Sequence, residues 1–211
     1  MKIPLQNKTI LFQGDSVTDC GRDRNDPASL GDGYPARVAD VCRALCPDSG
    51  TAFVNRGVAG DRVRDVLARY ETDILRVKPD VLSVLIGIND VWRRYDSGDP
   101  TSPHAFERDY RALLTRVKRD MPGASIVLME PFALYALPDR RAWREDLDPK
   151  IQVVRALAEE FADVLIPLDG LLARYVAEGL PTAAVAADGV HPTDAGHGII
   201  AREWLRNVAE F

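Results

Sequence analysis

Residues 9–16 read TILFQGDS, a short apolar run that ends in a glycine, a carboxylate and a hydroxyl. The run is too short for a helix, and it lacks the polar and apolar alternation of a half-exposed strand. It therefore predicts a strand that is covered on both faces, as in a parallel sheet. Open parallel sheets bind their ligands at the carboxyl ends of the strands. We expect Ser16 at such an end.

Four more apolar runs follow, separated by longer amphipathic stretches. The five predicted strands are Thr9–Gln13, Ala52–Asn55, Val81–Ile86, Ser125–Glu130 and Asp163–Pro167. The predicted helices are Tyr34–Leu45, Arg62–Val77 with Asp61 as its N-cap, Ala105–Asp120, Pro149–Phe161, Leu171–Glu178 and Asp194–Val208. This alternation indicates an α/β fold, a three-layer α/β/α sandwich around a five-stranded parallel sheet.

The composition is typical of a single globular domain that spans residues 1–211. A hydrophobic fraction of 46% is enough for a core, and a charged fraction of 28% is ordinary for such domains. The formal net charge of −5 has the wrong sign for attraction to nucleic-acid phosphates or to an anionic membrane surface. A small-molecule partner fits better, and the formation of a homo-oligomer stays open.

Three features predict a cytoplasmic protein without a membrane span. The longest apolar run, residues 81–88, is far shorter than the roughly 18 residues that a span requires. Residues 1–12 lack the apolar centre of a signal peptide. Cys20, Cys42 and Cys46 are an odd set without a Cys-x-x-Cys pair, which favours a reducing compartment over a disulfide framework.

A serine hydroxyl attacks a carbonyl group effectively when a histidine, oriented by a carboxylate, accepts its proton. Of the three histidines, one begins a predicted helix and a second lies inside another. His191 instead follows Asp188 by three residues in a glycine-containing turn, and Pro192 disfavours helical backbone there. Ser16, Asp188 and His191 are therefore candidate catalytic residues. The alternatives are a turn or cap at Ser16 and a purely structural hydrogen bond between Asp188 and His191.

Acyl transfer also needs hydrogen-bond donors for the oxyanion that forms. The candidates are the backbone N–H groups of Ser16 and Gly60 and the side chain of Asn89, although glycine and asparagine also serve turns. In the flavodoxin-like strand order 2-1-3-4-5, the first three strand ends are neighbours and bring these donors together. His191 would return over roughly 14 Å from beyond the fifth strand, at about 4.8 Å per strand.

These residues resemble the four blocks of the SGNH (GDSL-type) hydrolases, a family of serine esterases and lipases with a flavodoxin-like sandwich. The blocks here are Gly14-Asp15-Ser16, Gly60, Gly87-Ile88-Asn89-Asp90 and Asp188-Gly189-Val190-His191. The resemblance covers nearly the whole chain. It implies Ser16 as nucleophile, His191 as base and then acid, and Asp188 as its orienting group. It also implies an oxyanion hole of Ser16, Gly60 and Asn89, an acyl-enzyme intermediate, and no metal or organic cofactor.

Further segments resemble the branch of that family that contains bacterial acetylxylan esterases, which deacetylate xylo-oligosaccharides. They are Asp19-Cys20-Gly21-Arg22, Gly31-Asp32-Gly33-Tyr34, Asn55-Arg56-Gly57, Val63-Arg64-Asp65 and Ile88-Asn89-Asp90-Val91-Trp92-Arg93. An acetylated sugar is then the expected substrate.

Side chains near the predicted oxyanion hole offer sugar contacts. Trp92 and Tyr95 can stack on a sugar face, and Arg22, Arg93 or Arg94 can bind hydroxyl groups. The alternative is that Trp92 packs beneath a loop. The arginines are then paired with Asp23, Asp90 or Asp96.

Three other functions are alternatives to an acetyl esterase. A lysophospholipase or thioesterase would need an acyl groove, which the apolar residues of the segment Pro131–Leu137 can furnish. A metal phosphatase would use Asp15, Asp19 and Asp188. A non-enzymatic flavodoxin-like module would leave the catalytic set unexplained. Two long connections, Val17–Gly33 and Pro131–Asp148, are either part of the site or solvated surface.

Overall fold

Five parallel strands form the centre of the computed structural model, which describes residues 2–210. With two short strands outside this sheet, the strands of the described residues are β1 (Ile3–Pro4), β2 (Thr9–Gly14), β3 (Ala52–Asn55), β4 (Val81–Leu85), β5 (Ser125–Met129), β6 (Val164–Ile166) and β7 (Ala209–Glu210). The sheet has the order β3-β2-β4-β5-β6, and β1 pairs separately with β7. Strands β1 and β7 were not predicted from the sequence. Since β1 was not among the predicted strands, the first to fifth predicted strands correspond to β2 to β6. They lie in the predicted order 2-1-3-4-5.

Helices cover both faces of the sheet, which confirms the three-layer sandwich. They are α1 (Ser16–Asp19), α2 (Tyr34–Leu45), α3 (Val63–Ala68), α4 (Ile88–Asp96), α5 (Pro103–Asp120), α6 (Arg144–Phe161), α7 (Leu168–Ala177), α8 (Thr182–Val185) and α9 (Asp194–Val208). A π-helical turn, Glu71–Leu75, and a 3₁₀ turn, Pro138–Arg141, complete the helical segments. Among residues 2–210, no helix combines the length and the apolar character needed to cross a membrane.

Side chains of β2 point alternately to the two faces of the sheet and pack into two separate layers of the core. Ile10 and Phe12 pack with Trp204 on the α2 and α9 side of the sheet, whereas Leu11 faces α3 and α5. Successive side chains of a strand point to opposite faces, so one apolar strand feeds both layers. The indole N–H of Trp204 donates to Ser83 Oγ at 3.0 Å, which satisfies this buried donor.

The predicted helix Arg62–Val77 is two shorter pieces, α3 and the turn Glu71–Leu75, and its predicted N-cap is wrong. Arg62 occupies the N-cap position, and its N–H donates to the carboxylate of Asp65 at 2.9 Å. The carboxylate of Asp61 instead pairs with Arg69 at 2.5 Å. A guanidinium eight residues further along thus competes successfully with the helix terminus for this carboxylate.

The segment Pro131–Asp148 is less irregular than the sequence indicated. Helix α6 begins at Arg144, before the predicted start at Pro149, because Trp143 and Leu147 pack beneath α4. Helix α4 was not predicted from the sequence, since most of its residues are polar and only Ile88 and Val91 supply buried apolar side chains on its inner face. Both differences arise at the carboxyl edge of the sheet.

Candidate active site

Ser16 lies where β2 ends and α1 begins. Asp15 is the N-cap of α1, and its carboxylate accepts the N–H of Val17 at 3.1 Å. Burial raises the pKa of Asp15 to about 7. This buried cap fixes the turn that presents Ser16 at the carboxyl end of the sheet, as the sequence predicted.

The structure joins Ser16, His191 and Asp188 in one hydrogen-bonded chain. Ser16 Oγ lies 3.0 Å from His191 Nε2, and His191 Nδ1 lies 2.7 Å from Asp188 Oδ2. The carboxylate of Asp188 also accepts the backbone N–H groups of Val190 at 2.9 Å and His191 at 2.7 Å. An imidazole held in this way can accept the proton of the serine hydroxyl during attack on a carbonyl group.

Opposing effects set the pKa of Asp188. Burial raises it, but the backbone and ring hydrogen bonds from His191 outweigh burial and hold the pKa below its usual value. Asp188 is therefore ionised wherever the protein operates near neutral pH. An anionic carboxylate is the form that accepts the imidazole N–H and fixes its tautomer.

A close backbone approach shapes the loop that carries this pair. Gly189 has φ of +87°, and a Cβ there would lie 2.3 Å from the carbonyl oxygen of Leu134. The N–H of Leu134 donates to the carbonyl of Gly189 at 2.8 Å. The segment after β5 thus lies directly against the loop from residue 188 to residue 191, and only glycine fits at this contact.

The segments after β3 and β4 are tied together beside Ser16. The side-chain amide of Asn89 donates to the carbonyl of Asp61 at 3.0 Å, and Asp90 accepts the N–H of Val63 at 3.1 Å. Gly60, the residue before Asp61, is exposed and has φ of +89°. The three strand ends with the predicted oxyanion donors are therefore neighbours, as the strand order required.

Burial affects two further carboxyl groups behind these segments. It raises the pKa values of Asp61 and Asp90, each to about 6. Arg69 opposes the shift at Asp61, whereas the hydrogen bond from Val63 opposes it at Asp90. The carboxyl group of Asp61 thus contacts Arg69, and that of Asp90 contacts the backbone of Val63, on the interior side of the site.

The two aromatic candidates differ in what they contact. The ring centroid of Trp92 lies 5.6 Å from that of His191 and 5.2 Å from that of Trp143. Tyr95 stacks on Trp143, with centroids 5.4 Å apart, and its hydroxyl donates to the carbonyl of Ala142 at 3.0 Å. Of the two, Trp92 is the one that contacts a predicted catalytic residue, and it also packs on Trp143, as the alternative predicted.

The arginine candidates are engaged in ion pairs. Arg22 bonds to Asp19 at 3.2 Å and to the carbonyl of Gly57 at 2.6 Å, and its side chain is 6% exposed. Arg93 pairs with Asp96, and Arg94 pairs with Glu145 at 2.8 Å. These contacts favour the paired alternative. The partner of Arg22 is Asp19 rather than Asp23, because Asp19 faces inward at the end of α1.

The other two histidines lie apart from this set. His197 is buried in α9, where its Nδ1 accepts the N–H of Tyr34 at 3.2 Å, and burial lowers its pKa to about 4. It therefore stays neutral and holds the start of α2. His104 lies exposed in the first turn of α5.

The carboxylates of the metal-phosphatase alternative have separate partners. Asp15 caps α1, Asp19 pairs with Arg22 and Arg24, and Asp188 holds His191. Within residues 2–210, no group of three or more His, Cys, Asp and Glu side chains is arranged to hold a metal ion.

Two residues around the site were missed by the sequence analysis. Asp90 holds the segment after β3, and Arg140 donates through Nε to the backbone carbonyl of Asp188 at 2.8 Å. Neither role leaves a periodic or local signal, because each contact joins residues that are more than 25 positions apart. The sequence offered Asp90 as an ion-pair partner of an arginine candidate, whereas in the structure its carboxylate accepts the N–H of Val63.

The chain is similar to several known proteins. A model of the GDSL-like lipase/acylhydrolase family matches residues 12–199. An acetylxylan esterase from Geobacillus stearothermophilus is 39% identical, over 99% of this chain and 96% of that protein. A structure described as a GDSL-like lipase from Parabacteroides merdae has a TM-score of 0.92 and 36% identity, with 98% of each chain covered.

The solved structure of the Geobacillus stearothermophilus acetylxylan esterase superposes with a TM-score of 0.87 at 38% identity. The superposition covers 98% of this chain and 95% of that one. Structures of three catalytic mutants of that enzyme, in which a serine, an aspartate or a histidine is replaced with alanine, match with the same TM-score.

Proposed function

This chain belongs to the GDSL-like lipase/acylhydrolase family, and we propose that it removes O-acetyl groups from carbohydrates, with acetylated xylo-oligosaccharides as substrates. Family membership and the acetylxylan esterase relative make it a carboxylic ester hydrolase. The observation that carries the proposal is the chain of hydrogen bonds from Asp188 through His191 to Ser16. The acetyl and carbohydrate preference is supported by the relative that is 39% identical over nearly the whole chain.

In the proposed first half-reaction, Ser16 Oγ attacks the acetyl carbonyl carbon while His191 Nε2 accepts the hydroxyl proton. The ester C–O bond then breaks, and His191 returns the proton to the departing sugar oxygen. Asp188 holds the imidazolium that exists between these two steps. The same three residue types were replaced in the catalytic mutants of the acetylxylan esterase, which supports these roles.

In the second half-reaction, a water molecule attacks the acetyl group on Ser16, with His191 as base and then as acid. The products are acetate and regenerated enzyme, so one water is consumed for each ester cleaved. The proposed cycle uses protein groups and water. The imidazole is 48% exposed at its side chain, which leaves a route for that water.

The proposed oxyanion hole consists of the N–H groups of Ser16 and Gly60 and the side-chain amide of Asn89. One hydrogen of the Asn89 amide is used in the bond to Asp61, and the second is free to bind the oxyanion. Donors fixed before the reaction stabilise the developing charge without reorganisation. Each such donor is worth about 3 kcal/mol of barrier.

Burial of the segment after β5 favours a short acyl group over a long one. Phe132 and Leu134, which the long-acyl alternative needs in an open groove, are 3% and 5% exposed. Val17, Phe132 and Val190 line a cavity of only about 10 Å³, which has no room for an acyl chain. Tyr135 and Leu137 of the same segment are exposed.

The test is hydrolysis of acetylated xylo-oligosaccharides and of aryl esters of increasing acyl length. We expect acetyl esters to be cleaved fastest, with a steep fall beyond propionyl. Ser16→Ala should abolish turnover and labelling by a fluorophosphonate, and Ser102→Ala, at the exposed N-cap of α5, is the matched control. Full activity of Ser16→Ala would reject the mechanism. Faster cleavage of long acyl esters would reject the acetyl preference.

A further inference from the structure

Arg140 is a nearly buried arginine in the 3₁₀ turn Pro138–Arg141, and it is 5% exposed. Its Nε donates to the backbone carbonyl of Asp188 at 2.8 Å, and its Nη1 pairs with Asp139 at 2.6 Å. Its guanidinium carbon lies 3.9 Å from the ring centroid of Trp143. Burying a guanidinium is costly unless such contacts compensate. The charge is therefore held at a defined place beside the catalytic loop.

The loop from residue 188 to residue 191 needs such an external contact. The carboxylate of Asp188 is bonded to Val190 and His191, which lie within three residues of it. Those bonds fix the shape of the loop, but they do not fix its distance from Ser16. Contacts from outside the loop must do so. Arg140 makes one of them, to Asp188, and Leu134 makes another, to Gly189.

The same guanidinium also reaches the ring beside the base. Its carbon lies 5.3 Å from the centroid of Trp92, and Trp92 lies 5.6 Å from His191. These contacts form one continuous layer of side chains, in the order Trp143, Arg140, Trp92 and His191. Arg140 therefore contacts both the peptide that follows Asp188 and the aromatic ring beside His191.

We propose that Arg140 is a positioning residue for hydrolysis: it holds the loop of Asp188 and His191, together with Trp92, in register with Ser16. The inference rests on the proposed function, since the loop in question carries the proposed base. The role requires an arginine. Its planar guanidinium donates from Nε while its face lies on Trp143, whereas a lysine ammonium is a point donor without such a face.

The test compares Arg140→Ala and Arg140→Lys with Arg141→Ala and Arg141→Lys. Arg141 is the exposed neighbour, and its guanidinium lies 4.6 Å from the ring centroid of Tyr135. Rates are normalised to the fraction of protein labelled at Ser16 by a fluorophosphonate. We expect kcat for an aryl acetate to fall about 10-fold or more in both Arg140 variants, the effect of losing one charge-assisted hydrogen bond. KM should change less than about threefold, because the interaction acts on the transition state.

Added guanidinium separates positioning from a general loss of stability. In Arg140→Ala it should partly restore kcat, at concentrations far below those that unfold the protein, by occupying the space between Trp143 and the Asp188 carbonyl. Arg141→Ala should gain nothing. The proposal is overturned if the Arg140 and Arg141 variants have equal kcat for each labelled site, or if the loss lies in KM alone.

Amide hydrogen exchange provides a readout that does not depend on catalysis. The N–H groups of Val190 and His191 should exchange faster in Arg140→Ala than in Arg141→Ala, because the loop is released. Equal exchange would overturn the positioning role even in a protein without esterase activity. Absence of ester hydrolysis by the unchanged protein would instead overturn the proposed function, so the two failures are distinguishable.

Discussion

The side-chain amide of Asn89 donates to the backbone carbonyl of Asp61 at 3.0 Å, which ties the start of α4 to the segment that follows β3. Asp90 repeats the tie by accepting the N–H of Val63. Two adjacent side chains thus fix how far Gly60 lies from Asn89 before any substrate binds. Preorganised donors of this kind lower a barrier because they need not move as the charge develops.

Asn89→Ala removes both the tie and one proposed donor. We expect kcat to fall about 100-fold or more while KM changes little, since the donor acts on the oxyanion. Steady-state kinetics with an aryl acetate measures this split. Asn207→Ala is the matched control, because Asn207 also donates its amide to a backbone carbonyl, that of Glu203, but in α9. An equal loss in both variants would contradict the role of Asn89.

Gly60→Ala tests the second proposed donor through backbone geometry. A Cβ at Gly60 would meet no atom within 4 Å, so the cost arises from its φ of +89°, about 1–2 kcal/mol. Gly98, with φ of +66° and equally open surroundings, is the matched control. Thermal unfolding should show a similar loss in both variants, whereas kcat should fall only in Gly60→Ala. Unchanged kcat there would contradict a role for this N–H.

Asp188→Asn should preserve the conformation of the loop but impair His191 as the proposed base. The amide oxygen can still accept the N–H groups of Val190 and His191, and its NH₂ group then faces His191 Nδ1. That arrangement favours the wrong imidazole tautomer. We expect kcat to fall by a factor on the order of 10⁴, with a parallel fall in the rate of Ser16 labelling. Asp194→Asn, an exposed residue in the first turn of α9, should retain the full rate.

Asp15→Asn tests the buried N-cap through the pH dependence of stability. The pKa of Asp15 is raised from 3.8 to about 7, so the unfolded chain releases this proton at lower pH than the folded protein. The contribution of Asp15 to stability is therefore fully present below pH 3.8 and is lost as pH rises toward 7. Asparagine can accept the N–H of Val17 without carrying a charge.

Chemical denaturation of the unchanged protein and of Asp15→Asn between pH 4 and pH 7 measures this effect. The variant should gain free energy of unfolding relative to the unchanged protein as pH rises across that range. Asp40→Asn, an exposed position on α2, should show no such relative gain. A difference that stays constant with pH would show that Asp15 is not held protonated.

The central strands and the polar residues at their ends could be predicted because both depend on local sequence. Apolar runs such as Thr9–Gly14 form strands wherever helices cover them, and polar residues at their ends mark the ligand edge. The prediction of one continuous helix, Arg62–Val77, was wrong because the backbone geometry changes within it. Its apolar spacing was correct, with Val63, Val66 and Ile74 all buried, but the backbone widens at Glu71–Leu75 within the same apolar face. Periodicity alone does not register such a widening.

Caps and ion pairs were the least predictable features. Asp61 precedes a helix, as an N-cap residue does, yet its carboxylate pairs with Arg69 because the fold places a guanidinium within reach. Arg22 had several acidic neighbours in the sequence, and the turn of α1 selected Asp19. Which of several nearby partners a charged side chain binds depends on distances of a few ångströms. Those distances cannot be read from the spacing of residues along the chain.

Local sequence is enough to place particular chemical groups at the ends of the strands: a serine after β2, a glycine after β3, an asparagine after β4, and a histidine three residues beyond an aspartate. The tertiary structure decided that Ser16 and His191, which are 175 positions apart, meet at 3.0 Å. It also decided that Arg140 and Leu134 hold the loop in place. Strand formation depends on local side-chain pattern, whereas this meeting depends on how sheet order and backbone contacts close the chain on itself.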